Sequence, residues 1–147
     1  HILETFYDPF HLSIQNQLEA LLSKFGVCYH FDLHSMPQRA VKSMKNIPDI
    51  VLGDNYRKSC SFKLINYIKD QFEKYGLIVA INQPYAGGFI TRNYGNPSKG
   101  IETMQIEVNR SVYMNEDKLL LRNIEPIQKI FSEIFNFFSY NYKIAAE

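Results

Sequence analysis

The run Leu77-Ile78-Val79-Ala80-Ile81 constrains the fold of this chain more than any other segment. Five apolar residues without alternation do not suit a strand that keeps one face in water, and they are too few for a buried helix. They fit a parallel strand covered on both faces, and parallel neighbours need crossover connections, usually helices. The chain supplies such helices. Pro9 opens a helical period of Leu12, Leu18, Leu21, Leu22 and Phe25 that stops at Gly26. Phe62, Ile65, Ile68 and Phe72 repeat the spacing up to Gly76, and Ile127, Ile130, Phe131, Ile134 and Phe138 mark a closing helix. Between them, residues 27–33, 49–54 and 104–110 read as further strands, with 82–99 a long loop holding three glycines and two prolines. This alternation predicts an α/β fold with a mixed, mostly parallel sheet flanked by helices.

Composition narrows the function classes. The 147 residues are 46% hydrophobic, enough for one domain over 1–147 with a real core, which excludes disorder and a disulfide scaffold. A formal charge of +1 leaves no excess of Lys and Arg to attract nucleic acid or an anionic membrane. No apolar run approaches the ~18 residues of a bilayer span, and the start does not resemble a signal peptide. Cys28 and Cys60, both in apolar or small-residue surroundings, point to a reducing cytoplasm. Residue 1 is His rather than Met, so the start is expected to be processed, tagged or cut from something longer.

Polar residues cluster at the strand ends, at Asp32-Leu-His34-Ser35, Asp54-Asn55 and Asn82-Gln83. Ligands of open α/β sheets bind beyond the carboxyl ends of strands, so these three termini read as a functional rim, or as ordinary caps that meet water. In the strand Met104-Gln-Ile-Glu-Val-Asn109, Gln105, Glu107 and Asn109 share one face and the apolar residues the other. A carboxylate flanked by amides is either a general base tuned by its surroundings or part of an edge strand with one wet face. His30, Asp32 and His34 also alternate onto one side, compatible with a compact metal site. Structural zinc normally takes four ligands, however, and no cluster elsewhere completes the set. His11 lies on the first helix with no role legible from spacing. Gly87-Gly88 is a plain turn or a close approach to a ligand, and Arg92 is solvated or a planar fork for a carboxylate.

Four segments occur in order: Asp32-Leu-His34-Ser35-Met36-Pro37, Asp49-Ile-Val-Leu-Gly-Asp54, Asn82-Gln-Pro-Tyr-Ala-Gly-Gly-Phe-Ile-Thr-Arg92 and Gln105-Ile-Glu107-Val-Asn-Arg110, with Tyr113-Met114 after them. Together they resemble the N-formylglutamate amidohydrolase family, a branch of the zinc-carboxypeptidase-like superfamily, from about Tyr7 to about Met114. The resemblance implies a metal-dependent hydrolase that releases formate from N-formyl-L-glutamate. It implies His34 as a zinc ligand, Glu107 as general base and acid, and Arg92 as a clamp for a substrate carboxylate. Asp54, Asn82, Gln105 and Asn109 follow as supporting substrate-binding groups, while His30 matches no motif position.

Members of that family are longer, and their N-terminal part is expected to carry a histidine and an acidic residue that complete the zinc site. One imidazole alone cannot hold zinc tightly against water. The chain is therefore expected to be a truncated zinc-carboxypeptidase-like fold, inactive alone. It would be a separately encoded back half that pairs with a front half, a remnant, or a fragment. Its small-molecule substrate would be an N-acyl amino acid. The competing expectation is a non-catalytic binding protein on the same scaffold that forms homo-oligomers through its uncovered edge.

Overall fold

The computed structural model describes residues 1–140. A π-helical turn, Leu3–Tyr7, leads into α1 (Asp8–Phe25), followed by β1 (Cys28–Met36), β2 (Ile50–Gly53) and α2 (Phe62–Glu73). Then come β3 (Val79–Ile81), α3 (Phe89–Tyr94), β4 (Ile101–Asn109), the short pair β5 (Met114–Asn115) and β6 (Leu120–Leu121), and α4 (Glu125–Tyr140). The sheet order is β1-β4-β2-β3; β1 runs parallel to β4 and β3 parallel to β2, while β2 and β4 are antiparallel. The mixed, mostly parallel sheet flanked by helices is thus the observed architecture. Among the described residues no helix is long and apolar enough to cross a membrane.

One face of the sheet carries the main core. Ile50 and Leu52 of β2 and Met104, Ile106 and Val108 of β4 pack under Leu64, Ile65, Ile68 and Phe72 of α2 and Ile127, Ile130, Ile134 and Phe138 of α4. Both helices bury residues three or four positions apart, the spacing that places them on one stripe. Each of these fully buried side chains contributes roughly 1.5–3 kcal/mol relative to exposure. The start of α2 is held by Ser61, whose hydroxyl accepts the Leu64 amide at 3.2 Å.

Three sequence expectations change. The apolar run at 77–81 does not mark a strand buried on both faces: β3 is short, lies at the sheet edge and is half-buried, with Ile78 49% exposed. Its Leu77, Val79 and Ile81 meet the core, while Ala80 lies against the Met36, Val41 and Val51 cluster on the other face. The strand buried throughout is β2. Of the two readings of the strand at 104–110, the wet-faced edge strand falls, because β4 runs between β1 and β2 and is buried from Glu102 to Asn109. The loop 82–99 contains α3, in which Thr91 and Tyr94 turn inward and Arg92 and Asn93 outward. Six residues are too few to show a helical period in sequence.

Candidate active site

A single rim of strand ends does not form. Because β2 and β3 run against β1 and β4, the ends at Asp54 and Asn82 lie away from the end of β1. Convergence happens on the sheet face opposite the main core instead. The parallel register sets Asp32 beside Gln105, His34 beside Glu107 and Met36 beside Asn109. Paired residues of a parallel ladder point to the same side, so the polar alternation of β1 and that of β4 add into one patch.

Glu107 is the centre of that patch and is only 7% exposed. Its Oε1 accepts a hydrogen bond from Gln105 Nε2 at 2.9 Å, and Gln105 Oε1 accepts the Gly88 backbone N–H at 2.6 Å. Burial pushes the Glu107 carboxyl above the usual carboxylate range; His34, the Gln105 hydrogen bond and Arg110 pull it down, and Asp32 adds to the rise. Beside it, His34 is partly exposed and its Nε2 lies 2.9 Å from Asp32 Oδ1. A buried carboxylate held by an amide next to an imidazole can take and return a proton.

Of the remaining expected site residues, Asp54 and Asn82 lie at other strand ends and Asn109 is engaged with backbone. Asn82 Nδ2 donates to Asp54 Oδ1 at 2.6 Å and Asn82 Oδ1 accepts the Asp54 N–H at 3.0 Å, while Asp54 Oδ1 also takes the Arg57 N–H. This pair ties the ends of β2 and β3 together. Asn109 donates to the Pro48 carbonyl at 3.0 Å and accepts from the Ser111 N–H and hydroxyl, so its polar atoms hold backbone. Arg92 stands exposed on α3, the helix whose leading Gly88 is bonded to Gln105. His30 sits deeper along β1, its Nδ1 buried without a partner, and burial lowers its pKa against the pull of Asp32. His11 Nδ1 meets the Tyr94 hydroxyl at 2.5 Å and joins α1 to α3.

Asp32, grouped with His30 and His34 in sequence as a compact metal site, is instead the side-chain partner of His34. Gly53 was not singled out from sequence as part of the site, and a Cβ there would lie 2.7 Å from the Ala86 carbonyl carbon and the Gly87 nitrogen. That vacancy lets the 86–88 turn press onto the sheet above Gln105.

Zinc finds no complete set of donors. Among the described residues, no group of three or more His, Cys, Asp or Glu could hold a metal ion. His34, the one ligand expected, already has its Nε2 against Asp32. The side chains of the described residues do not by themselves fit a zinc ion.

The family model for N-formylglutamate amidohydrolase matches residues 1–114. The N-formylglutamate deformylase of Pseudomonas putida is 32% identical over 116 residues, covering 78% of this chain and 43% of that protein. The Pseudomonas aeruginosa protein of the same name is 30% identical over 118 residues, covering 78% and 44%. The crystal structure of N-formylglutamate amidohydrolase from Ralstonia eutropha JMP134 is similar with a TM-score of 0.80 and 28% identity, over 88% of this chain and 48% of that one. The chain spans less than half the length of these relatives.

Proposed function

The chain belongs to the N-formylglutamate amidohydrolase family, and from that premise we propose that it supplies the base-bearing half of a hydrolase that cleaves the formyl amide of N-formyl-L-glutamate. The observation that carries this reading is the buried Glu107 carboxylate, held by Gln105 next to His34. In the proposed reaction water adds to the formyl carbon. Glu107 takes the proton from that water and delivers it to the amide nitrogen as the C–N bond breaks, leaving formate and glutamate. Arg92, on the outer side of α3, binds a carboxylate of the substrate through its planar fork. Asp54, Asn82 and Asn109 act by holding strand ends and backbone rather than by touching substrate.

Zinc is part of this proposal only with donors from outside the described residues, since no group of three or more His, Cys, Asp or Glu among them could hold the ion and the resemblance offers His34 alone. The relatives are more than twice as long as the segment they share with this chain, which supports a partner or further segment as the source of those donors. The buried, free Cys28 and Cys60 fit a reducing compartment, so the cytoplasm is the proposed location.

A second reading, a non-catalytic interaction protein, draws on one observation. Among the described strands β1 has a neighbour on one side only, its Leu33 is 52% exposed, and apolar grooves of 450 and 670 Å³ run between it and α4. Such an edge invites a second copy or another chain. Titrating zinc into the purified chain while following formate release from N-formyl-L-glutamate tests the need for outside donors. Turnover that appears on adding the front half of a full-length relative favours the hydrolase over the interaction protein. No tight zinc binding and no turnover by the chain alone is the result expected. Tight 1:1 binding with turnover would show that the chain needs no outside donors.

A further inference from the structure

We propose that Gln105 is a positioning residue, one that locks the Glu107 carboxylate in place and links it to the backbone turn that leads into the Arg92 helix. The proposal rests on the hydrolase reading above and deepens it, because sequence motifs alone offered Gln105 only as a group touching substrate. The geometry makes direct contact with substrate unnecessary and gives the amide another task. Its oxygen is engaged by the Gly88 N–H at 2.6 Å and its nitrogen by Glu107 Oε1 at 2.9 Å.

The two partners dictate which way the amide faces. A backbone N–H can only donate and an ionised carboxylate can only accept, so the reversed amide would set donor against donor and acceptor against acceptor. The Gly88 N–H thereby fixes the orientation of Gln105, and Gln105 fixes the carboxylate of Glu107. Such an outer partner narrows the range of positions open to a proton-carrying group.

Three backbone positions make the link possible. Gly53 stands beside Gln105 in the β2–β4 register and leaves no side chain between the sheet and the 86–88 turn. Gly87 turns with φ +117°, and a Cβ there would run into Thr91. A Cβ on Gly88 would come within 3.3 Å of Gln105 Oε1. Since α3 begins directly after Gly88 and carries Arg92, one amide stands between the start of that helix and Glu107.

Two side-chain replacements separate positioning from simple anchoring. Gln105→Leu removes both hydrogen bonds. Gln105→Glu keeps an acceptor for the Gly88 N–H and, when ionised, sets a second negative charge against Glu107 in place of the amide donor. In ¹⁵N spectra of the full chain without ligand, the Gln105 side-chain NH₂ is expected to exchange slowly with solvent. Glu107→Ala is expected to speed that exchange at least tenfold while leaving the Gly88 amide protected. Fast Gln105 exchange in the parent chain, or none of this response to Glu107→Ala, overturns the proposal whether or not the protein is an enzyme.

Turnover is read on the chain supplied with zinc and with the front half of a full-length relative. Both Gln105 variants are expected to stay folded with lowered melting temperatures, because buried polar groups lose their partners, and to lose at least tenfold in kcat at unchanged KM. A Gln105→Glu variant with parental kcat reduces Gln105 to an anchor of the turn and overturns the proposal. A mixture in which the parent itself releases no formate counts against the hydrolase reading, and the exchange measurement still decides the role of Gln105.

Discussion

Gly53 lies directly beside Gln105 in the antiparallel β2–β4 register, so the residue next to the amide that holds Glu107 has no side chain. The 86–88 turn fills that space with backbone: the Ala86 carbonyl carbon and Gly87 nitrogen stand where a Cβ would have to sit, at 2.7 Å. Asn55 extends the same contact, its N–H donating to the Ala86 carbonyl at 2.7 Å. Packing of the turn and orientation of the carboxylate are therefore one structural problem.

Gly53→Ala is expected to cost about 1–3 kcal/mol, because rigid backbone rather than a flexible side chain must give way. Urea unfolding checks it: the midpoint falls with an unchanged slope. A variant as stable as the parent would mean that the turn is free to lift off the sheet.

Sequence made the three long helices and the family legible, because amphipathic stripes of three and four residues and the ordered motifs are local signals. It did not reveal that His34 and Glu107 are neighbours, since that depends on the β1–β4 register between residues more than seventy positions apart. The run at 77–81 misled for a related reason. Apolar content shows that a segment meets a core, and it does not tell an edge strand from a central one. Asp54 and Asn82 read as rim groups because they follow strands, and Asn109 as a substrate-binding group through the family resemblance; only the structure shows those side chains bonded to other parts of the chain.

The two faces of the sheet predict unequal tolerance. Ile106 is fully buried beneath α2 and α4, so Ile106→Ala is expected to lose about 2–5 kcal/mol through transfer and cavity effects. Leu120, exposed on β6, is expected to change stability by less than about 0.5 kcal/mol when replaced by Ala. Paired urea titrations test the contrast, and equal losses would contradict the assignment of the core.

Stability is expected to fall on mild acidification through His30. Burial holds its folded pKa below the ordinary value of 6.5, with the Asp32 charge opposing. Below that ordinary value the unfolded chain binds a proton that the folded chain resists, so unfolding gains as pH drops. The contribution is complete above the unfolded pKa, near 6.5, and is lost as pH falls toward the lower folded value. Comparing urea midpoints of the parent and His30→Gln between pH 7.5 and 5 isolates this group. The parent should show the steeper decline; parallel curves would remove His30 as the cause.

Cys28 and Cys60 are buried, and burial raises both thiols, Cys60 strongly with Asp54 and Glu102 adding to the effect. Neither is expected to react with a thiol reagent at pH 8 until the chain unfolds, because the thiolate is the reactive form. Labelling rates with and without urea check this, and rapid labelling of the native protein would contradict the burial.

The central proposal is that Glu107 carries the proton in a hydrolysis for which the described residues do not supply a complete set of metal donors. Formate release from N-formyl-L-glutamate should be measured with zinc for the chain alone, for the chain mixed with the front half of a full-length relative, and for the same mixture bearing Glu107→Gln. The account predicts no turnover alone, turnover in the mixture, and a loss of roughly 10²–10⁴-fold with Glu107→Gln. Full turnover by the Glu107→Gln mixture, or by the unassisted chain, would contradict it.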